Sequence, residues 1–187
     1  MNENQFTDFL IKKLELDVSP CLIETRKTVQ YEMAINDQGR VDMGIDSDTG
    51  EPIRGGGKGF QQDILIYEET LEGNTSIIPR VIAEVKLRSV TTHDSIVYSE
   101  KARRIKRIYP FVRFGLILAE IPNIPGRVLR LGEQFDFIKT IKNPPSNSDV
   151  KACRSLFKTE IKISKELSKI LFHGKKIHCL RKVVRTK

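Results

Sequence analysis

Between Arg80 and Val90 the chain reads RVIAEVKLRSV, a run of strand character in which two opposite charges, Glu84 and Lys86, interrupt an otherwise apolar stretch. Successive side chains of a strand point to opposite faces, so residues two apart share one. Glu84 and Lys86 therefore project together, while Val85 enters the packing layer on the other side. Charges left unpaired in such surroundings are costly. A fold that accepts this strand has to bring partners to a neighbouring anion and cation.

The preceding run, FQQDILIYEE, also has strand character, and the two are joined by TLEGNTSIIP, whose Gly73-Asn74 pair is a turn signal. An antiparallel pair is predicted. Ile64 to Ile66 and Val81 to Ala83 are continuous apolar runs, the pattern of strands covered on both faces and central to a sheet. Asp63 then stands at the mouth of the hairpin, where its carboxylate would meet that of Glu84.

The rest of the chain supplies layers around this pair. Phe6, Phe9, Leu10, Leu14 and Leu16 predict an amphipathic helix over 3–16, and Pro20 stops it. Thr28, Val29, Tyr31 and Met33 suit a strand, and residues 37–59, with Gly55 to Gly57, read as a flexible glycine-rich loop with a short strand near Val41. DSIVYSEKARRIKRIY (94–109) predicts a helix with Ile96, Val97, Ala102, Ile105 and Ile108 inward, ended by Pro110. VRFGLILAEI reads as a buried strand and RVLRLGEQFDFIKTI as one or two more. A last helix, about Asp149 to Phe172 with Ser148 as its cap, buries Val150, Cys153, Phe157, Ile161, Leu167 and Ile170 and shows solvent Lys151, Arg154, Lys158, Lys162, Lys165 and Lys169. Gly174 ends it, and IHCLRKVV is predicted as a small edge strand.

The order helix, strand, strand pair, helix, strand, strand, helix describes an α/β fold, a mixed central sheet flanked by helices. At 187 residues it fits a single domain with a basic C-terminal helix and tail at about 149–187.

Charge is distributed unevenly. Residues 1–79 carry 7 Lys/Arg against 15 Asp/Glu, residues 80–150 carry 13 against 7, and residues 151–187 carry 12 against 2, for a net charge of +8. An acidic part that can hold cations beside a basic part that can neutralise phosphates is what a nuclease needs. No apolar run approaches the roughly 18 to 20 residues of a membrane span, and MNENQFTDF has no signal-peptide character, so a cytoplasmic protein with no membrane partner is expected. Cys21, Cys153 and Cys179 are too few and too scattered for a disulfide framework or a zinc site and read as buried thiols.

Two carboxylates as close as Asp63 and Glu84 repel unless a cation lies between them, and hard oxygen donors favour magnesium, with manganese as a substitute. The Val85 carbonyl is a candidate further ligand. Lys86 would position or deprotonate an attacking water and neutralise charge on a pentavalent phosphate. An Asp on one strand followed by Glu-x-Lys on the next resembles the PD-(D/E)XK nuclease superfamily, which includes type II restriction enzymes and archaeal Holliday junction resolvases. The resemblance covers residues 1 to about 120 by order of elements, although Gln62 stands where the motif's name has proline.

What the resemblance implies is a restriction-endonuclease-like fold and a magnesium-dependent endonuclease acting on double-stranded DNA as a homodimer, in the first place a type II restriction endonuclease. A structure-selective recombination or repair nuclease, or a catalytically inactive nucleic-acid-binding protein on the same fold, stand as alternatives. It also implies an acidic metal ligand from the first helix, for which Glu3 is best placed ahead of Glu15 and Glu24. Arg103, Arg104, Lys106 and Arg107 are the expected phosphate contacts, with the basic face of the last helix.

Other features weigh less. Glu160-Ile161-Lys162 repeats the Glu-x-Lys spacing, but on a helix, where residues two apart do not share a face. Asp42 in GRVDMGI is a second candidate for the strand carboxylate, and Gln61 or Gln62 for a substrate contact. RGGGKGF lacks the Gly-Lys-Ser/Thr ending of a phosphate loop. His93, His173, His178 and Cys179 fit no standard metal pattern.

Overall fold

The computed structural model describes all residues except 16, 47–52, 54–57, 71–75, 175 and 177–187. In chain order its elements are α1 (Glu3–Leu14), β1 (Leu22–Glu24), β2 (Thr28–Gln30), β3 (Ala34–Ile35), β4 (Val41–Asp42), β5 (Gly59–Gln61), β6 (Ile64–Thr70), β7 (Ser76–Leu87), α2 (Thr92–Ile108), β8 (Arg113–Ala119), α3 (Gly126–Leu131), β9 (Phe137–Ile141) and α4 (Asn147–His173). The Gly73-Asn74 turn, the glycine triplet, Cys179 and the edge strand expected from IHCLRKVV lie outside the described residues.

Five strands make the main sheet in the order β1-β6-β7-β8-β9. β1 and β7 flank β6 antiparallel, and β8 and β9 continue from β7 in parallel. The fold is therefore mixed α/β, with a mixed sheet flanked by helices as the order of apolar runs predicts. Parallel neighbours need long crossovers, and α2 and α3 provide them.

Strand alternation divides the core in two. Ile64, Ile66, Val81, Ala83, Val85 and Ile117 pack with Phe6, Leu10 and Leu14 of α1 and with Val150, Cys153 and Phe157 of α4. Leu65, Tyr67, Ile82, Phe114, Leu116 and Leu118 face the other way, against Ala102 and Ile105 of α2 and Val128 of α3. Two small antiparallel ribbons, β2 with β5 and β3 with β4, stand beside the main sheet. Tyr31, just beyond β2, stacks on Phe60 at 3.8 Å between ring centroids, and the Arg104 guanidinium of α2 lies over Tyr31.

Several expectations need correction. RVLRL is helical, not a strand: it forms α3, which buries Val128 and leaves Leu129 63% exposed, because the crossover between β8 and β9 has to turn there. In α2, Ile96 and Val97 face solvent, and Ser95, Ser99 and Lys101 are buried with Ala102 and Ile105. The first half of this helix meets a polar patch of the sheet, which selects polar side chains. The basic row of α4 is also divided: Arg154 donates to the Leu14 and Lys13 carbonyls at the end of α1, and Lys165 pairs with Glu68, whereas Lys151, Lys158, Lys162 and Lys169 are exposed.

Ser146, not Ser148, caps α4: its side chain accepts from the Asp149 N–H, and the Asp149 carboxylate accepts from the Ser146 N–H at 3.0 Å. Such a capping box satisfies donors that the first helical turn leaves open. Burial works against ionisation of Asp149, but hydrogen bonds from Ser146 and from the Lys142 N–H outweigh it and hold the carboxyl below its ordinary value of 3.8. A carboxyl depressed in the folded state adds stability that is full above its unfolded value and lost as pH falls through the folded one. Asp149→Ala is thus expected to cost about 1 kcal/mol at pH 7. In thermal melts its deficit relative to wild type should shrink in acid below 3.8.

Among the described residues, no helix is long and apolar enough to cross a membrane. Cys21 and Cys153 are buried free thiols.

Candidate active site

The alternation that puts Leu65 and Ile82 on the α2 side of the sheet puts Asp63, Glu84 and Lys86 there too. β6 begins at Ile64, paired with Ala83, so Asp63 sits where the two strands part. Its side chain takes over the role of a backbone acceptor: Oδ2 accepts the Val85 N–H at 2.8 Å. That bond fixes the carboxylate beside Glu84, whose ionisation Asp63 opposes.

Glu84 is 3% exposed. Burial pushes its carboxyl up to about 8, with Asp63 adding to the rise and the ammonium of Lys101 pulling against it. Lys101 reaches in from α2: its Nζ is 2.5 Å from Glu84 Oε1 and 2.6 Å from the Gln61 carbonyl oxygen. A buried acid beside a second acid favours a shared proton or a cation over two free charges.

Lys86 sits at the outer end of the same face. Its Nζ is 3.4 Å from Glu3 Oε1 and 3.6 Å from Asp94 Oδ1, and lies 5.3 Å from the centre of the Tyr98 ring. Burial opposes its charge, yet Tyr98, Glu3 and Asp94 together outweigh that and raise its pKa. Burial and the neighbouring Glu84 push the Tyr98 hydroxyl up to about 12.

The structure thus brings Asp63, Glu84 and Lys86 onto one patch. Glu3 arrives at its edge with both oxygens occupied, one by Lys86 and the other by the Leu87 N–H at 3.1 Å. Among the described residues no three or more Asp, Glu, His or Cys side chains are grouped closely enough to hold a metal ion. The Asp63–Glu84 pair nevertheless fits a hard cation in donor chemistry: two carboxylates from adjacent strands, with the remaining positions left to carbonyl oxygen and water.

The other sequence candidates are placed as follows. Asp42 is engaged by Lys58 and by the Gly44 N–H on the β4 ribbon, which lowers its pKa. Glu15 is exposed near Arg154, and Glu24 is taken up by Lys27 and Tyr67. Gln62 is fully buried, and the Gln61 side chain donates to the Arg26 carbonyl. Arg103 and Arg104 share Glu100 on the helix surface, Lys106 is held by Asp136 and the Gln134 carbonyl, and Arg107 and His93 are exposed. Glu160 is buried against Arg113 while Lys162 faces solvent, so the helical Glu-x-Lys builds no patch.

Asp94, Tyr98 and Lys101 are site residues that the sequence pattern did not single out. Their spacing, continued by Ile105, is a single helical stripe that ends on a core residue, and that was the available signal. A lysine and an aspartate in a charged helix ordinarily read as solvent-facing.

No known family's sequence model matches the chain, and comparison with curated protein sequences finds no match.

Proposed function

We propose that this protein is a magnesium-dependent DNA endonuclease with a restriction-endonuclease-like core, and that the patch of Asp63, Glu84 and Lys86 is its active site. The observation that carries the reading is the pair of close carboxylates on neighbouring strands with a lysine on the same face. The order helix, strand, strand pair, helix, strand, over which the resemblance to PD-(D/E)XK nucleases extends, supports it.

Asp63 and Glu84 would hold the cation, with the Val85 carbonyl as a further ligand. A divalent ion there supplies polarisation of the scissile phosphate, a more acidic water and compensation for charge on the leaving oxygen. Lys86 keeps an ammonium beside the carboxylates, where it orients the attacking water and offsets phosphate charge. Glu3 and Asp94 hold Lys86 in place, and in this reading Glu3 positions the lysine instead of completing the metal site. Arg107, exposed on α2, would meet a phosphate directly, and Arg103 and Arg104 would do so by exchanging Glu100 for it.

One carboxylate pair cuts one strand at a time, so double-strand cleavage by a type II restriction endonuclease calls for a homodimer. The test is incubation of the purified protein with supercoiled plasmid and with a four-way junction, in magnesium and then in EDTA. Nicked and linear plasmid in magnesium alone is the expected result. Cleavage confined to the junction would reassign the protein to structure-selective nucleases. Binding of both DNAs with no cleavage of either would contradict the enzymatic reading.

A further inference from the structure

Lys101 is the least expected member of the patch. It arises from the middle of α2, a rigid helix, and is only 9% exposed. Its ammonium donates to Glu84 on β7 and to the Gln61 carbonyl on β5, and it lies 5.7 Å from the centre of the Phe60 ring and 6.0 Å from that of Tyr98. Aromatic faces favour a cation held over them. With two strands and two rings gripping it, this side chain is built into the site and is poorly suited to swing away.

The two carboxylates are anchored in the same manner. Glu84 is held through Oε1 by Lys101, and Asp63 through Oδ2 by the Val85 N–H. Among the described residues, no backbone N–H or basic side chain bonds the second oxygen of either.

We propose that Lys101 is a positioning residue that fixes Glu84 through one oxygen, so that the other oxygen and that of Asp63 together hold one divalent cation. The inference rests on reading the carboxylate pair as a cation site. Groups bonded to metal ligands orient them, and their loss typically weakens metal affinity about 10- to 100-fold.

The test is Mn2+ binding to the full chain without DNA, followed by electron paramagnetic resonance of the free ion, for wild type, Lys101→Met, Lys101→Gln and Lys101→Arg. Melting curves identify the variants that keep the fold, and Lys101→Gln, which retains a donor for the Gln61 carbonyl, serves if Lys101→Met unfolds. Wild type should bind saturably, the uncharged variants about 10- to 100-fold more weakly, and Lys101→Arg should recover most of the loss because it restores charge and donors. Equal affinity in wild type and the uncharged variants would overturn the role of Lys101 and leave the cation site standing. Tighter binding without Lys101 would overturn it too, making the lysine a competitor of the ion. Failure of Arg to recover what Met and Gln lose would reduce Lys101 to a structural residue. Absence of Mn2+ binding by wild type would overturn the cation site itself, and this proposal with it.

Discussion

Replacement of Asp63 by Asn, or of Glu84 by Gln, is expected to lower magnesium-dependent plasmid cleavage by on the order of 10^3-fold. Both substitutions keep volume and hydrogen-bonding shape. In Asp63→Asn the new amide still offers an oxygen to the Val85 N–H, and in Glu84→Gln it still offers one to Lys101, so the local contacts seen around these residues survive. What disappears is one of the two negative charges proposed to share a cation. DNA affinity measured in EDTA should stay within a few fold of wild type, because the proposed phosphate contacts are basic side chains elsewhere. Cleavage by either variant at the wild-type rate would remove its carboxylate from the mechanism.

Phe157→Ala is expected to have the largest effect on stability with the least on chemistry. Phe157 is fully buried in the layer between the sheet and α4, with its ring edge-on to Phe137 at 6.3 Å between centroids. Truncating such a ring removes its burial and leaves a cavity that a close-packed core fills only in part, at about 3–5 kcal/mol. In a chain of this size that corresponds to a fall in Tm on the order of 10 °C. The side chain lies on the face of the sheet opposite the carboxylates, so folded variant at low temperature should cleave at close to the wild-type rate. An unchanged Tm would contradict the placement of α4 on this layer.

What the sequence made legible follows from periodicity. The β6–β7 pair, the buried β8 and the apolar stripes of α1 and of the first half of α4 each rest on many residues that agree, and the structure has them, whereas Leu167 and Ile170 are only half-buried. The shared face of Glu84 and Lys86 was legible for the same reason, since strand alternation leaves no other arrangement. Asp63 was legible as the residue just before a continuous apolar run.

The misreadings came where few residues decide. RVLRL is five residues with one apolar position that needs burial, and only the crossover it has to make distinguishes a helix from a strand. Ser146 and Ser148 both suit a cap, and the choice falls to the one with Asp149 three residues on. Ile96 and Val97 looked like core because apolar residues usually are. The stripe they compete with, Ser95, Tyr98 and Lys101, is chosen by the polar patch it packs on, which a local pattern does not contain. Lys101 was invisible for the same reason: its partners, Gln61 and Glu84, are distant in sequence.

The central claim is that Asp63 and Glu84 form a divalent-cation site, and anomalous scattering from crystals soaked in Mn2+ tests it most directly. A single anomalous peak between the two carboxylates, at the roughly 2 Å oxygen distances such ions adopt, is the predicted result. Its disappearance from Asp63→Asn crystals soaked in the same way is predicted as well. Crystals that take up Mn2+ elsewhere on the protein and leave the carboxylate pair empty would contradict the account.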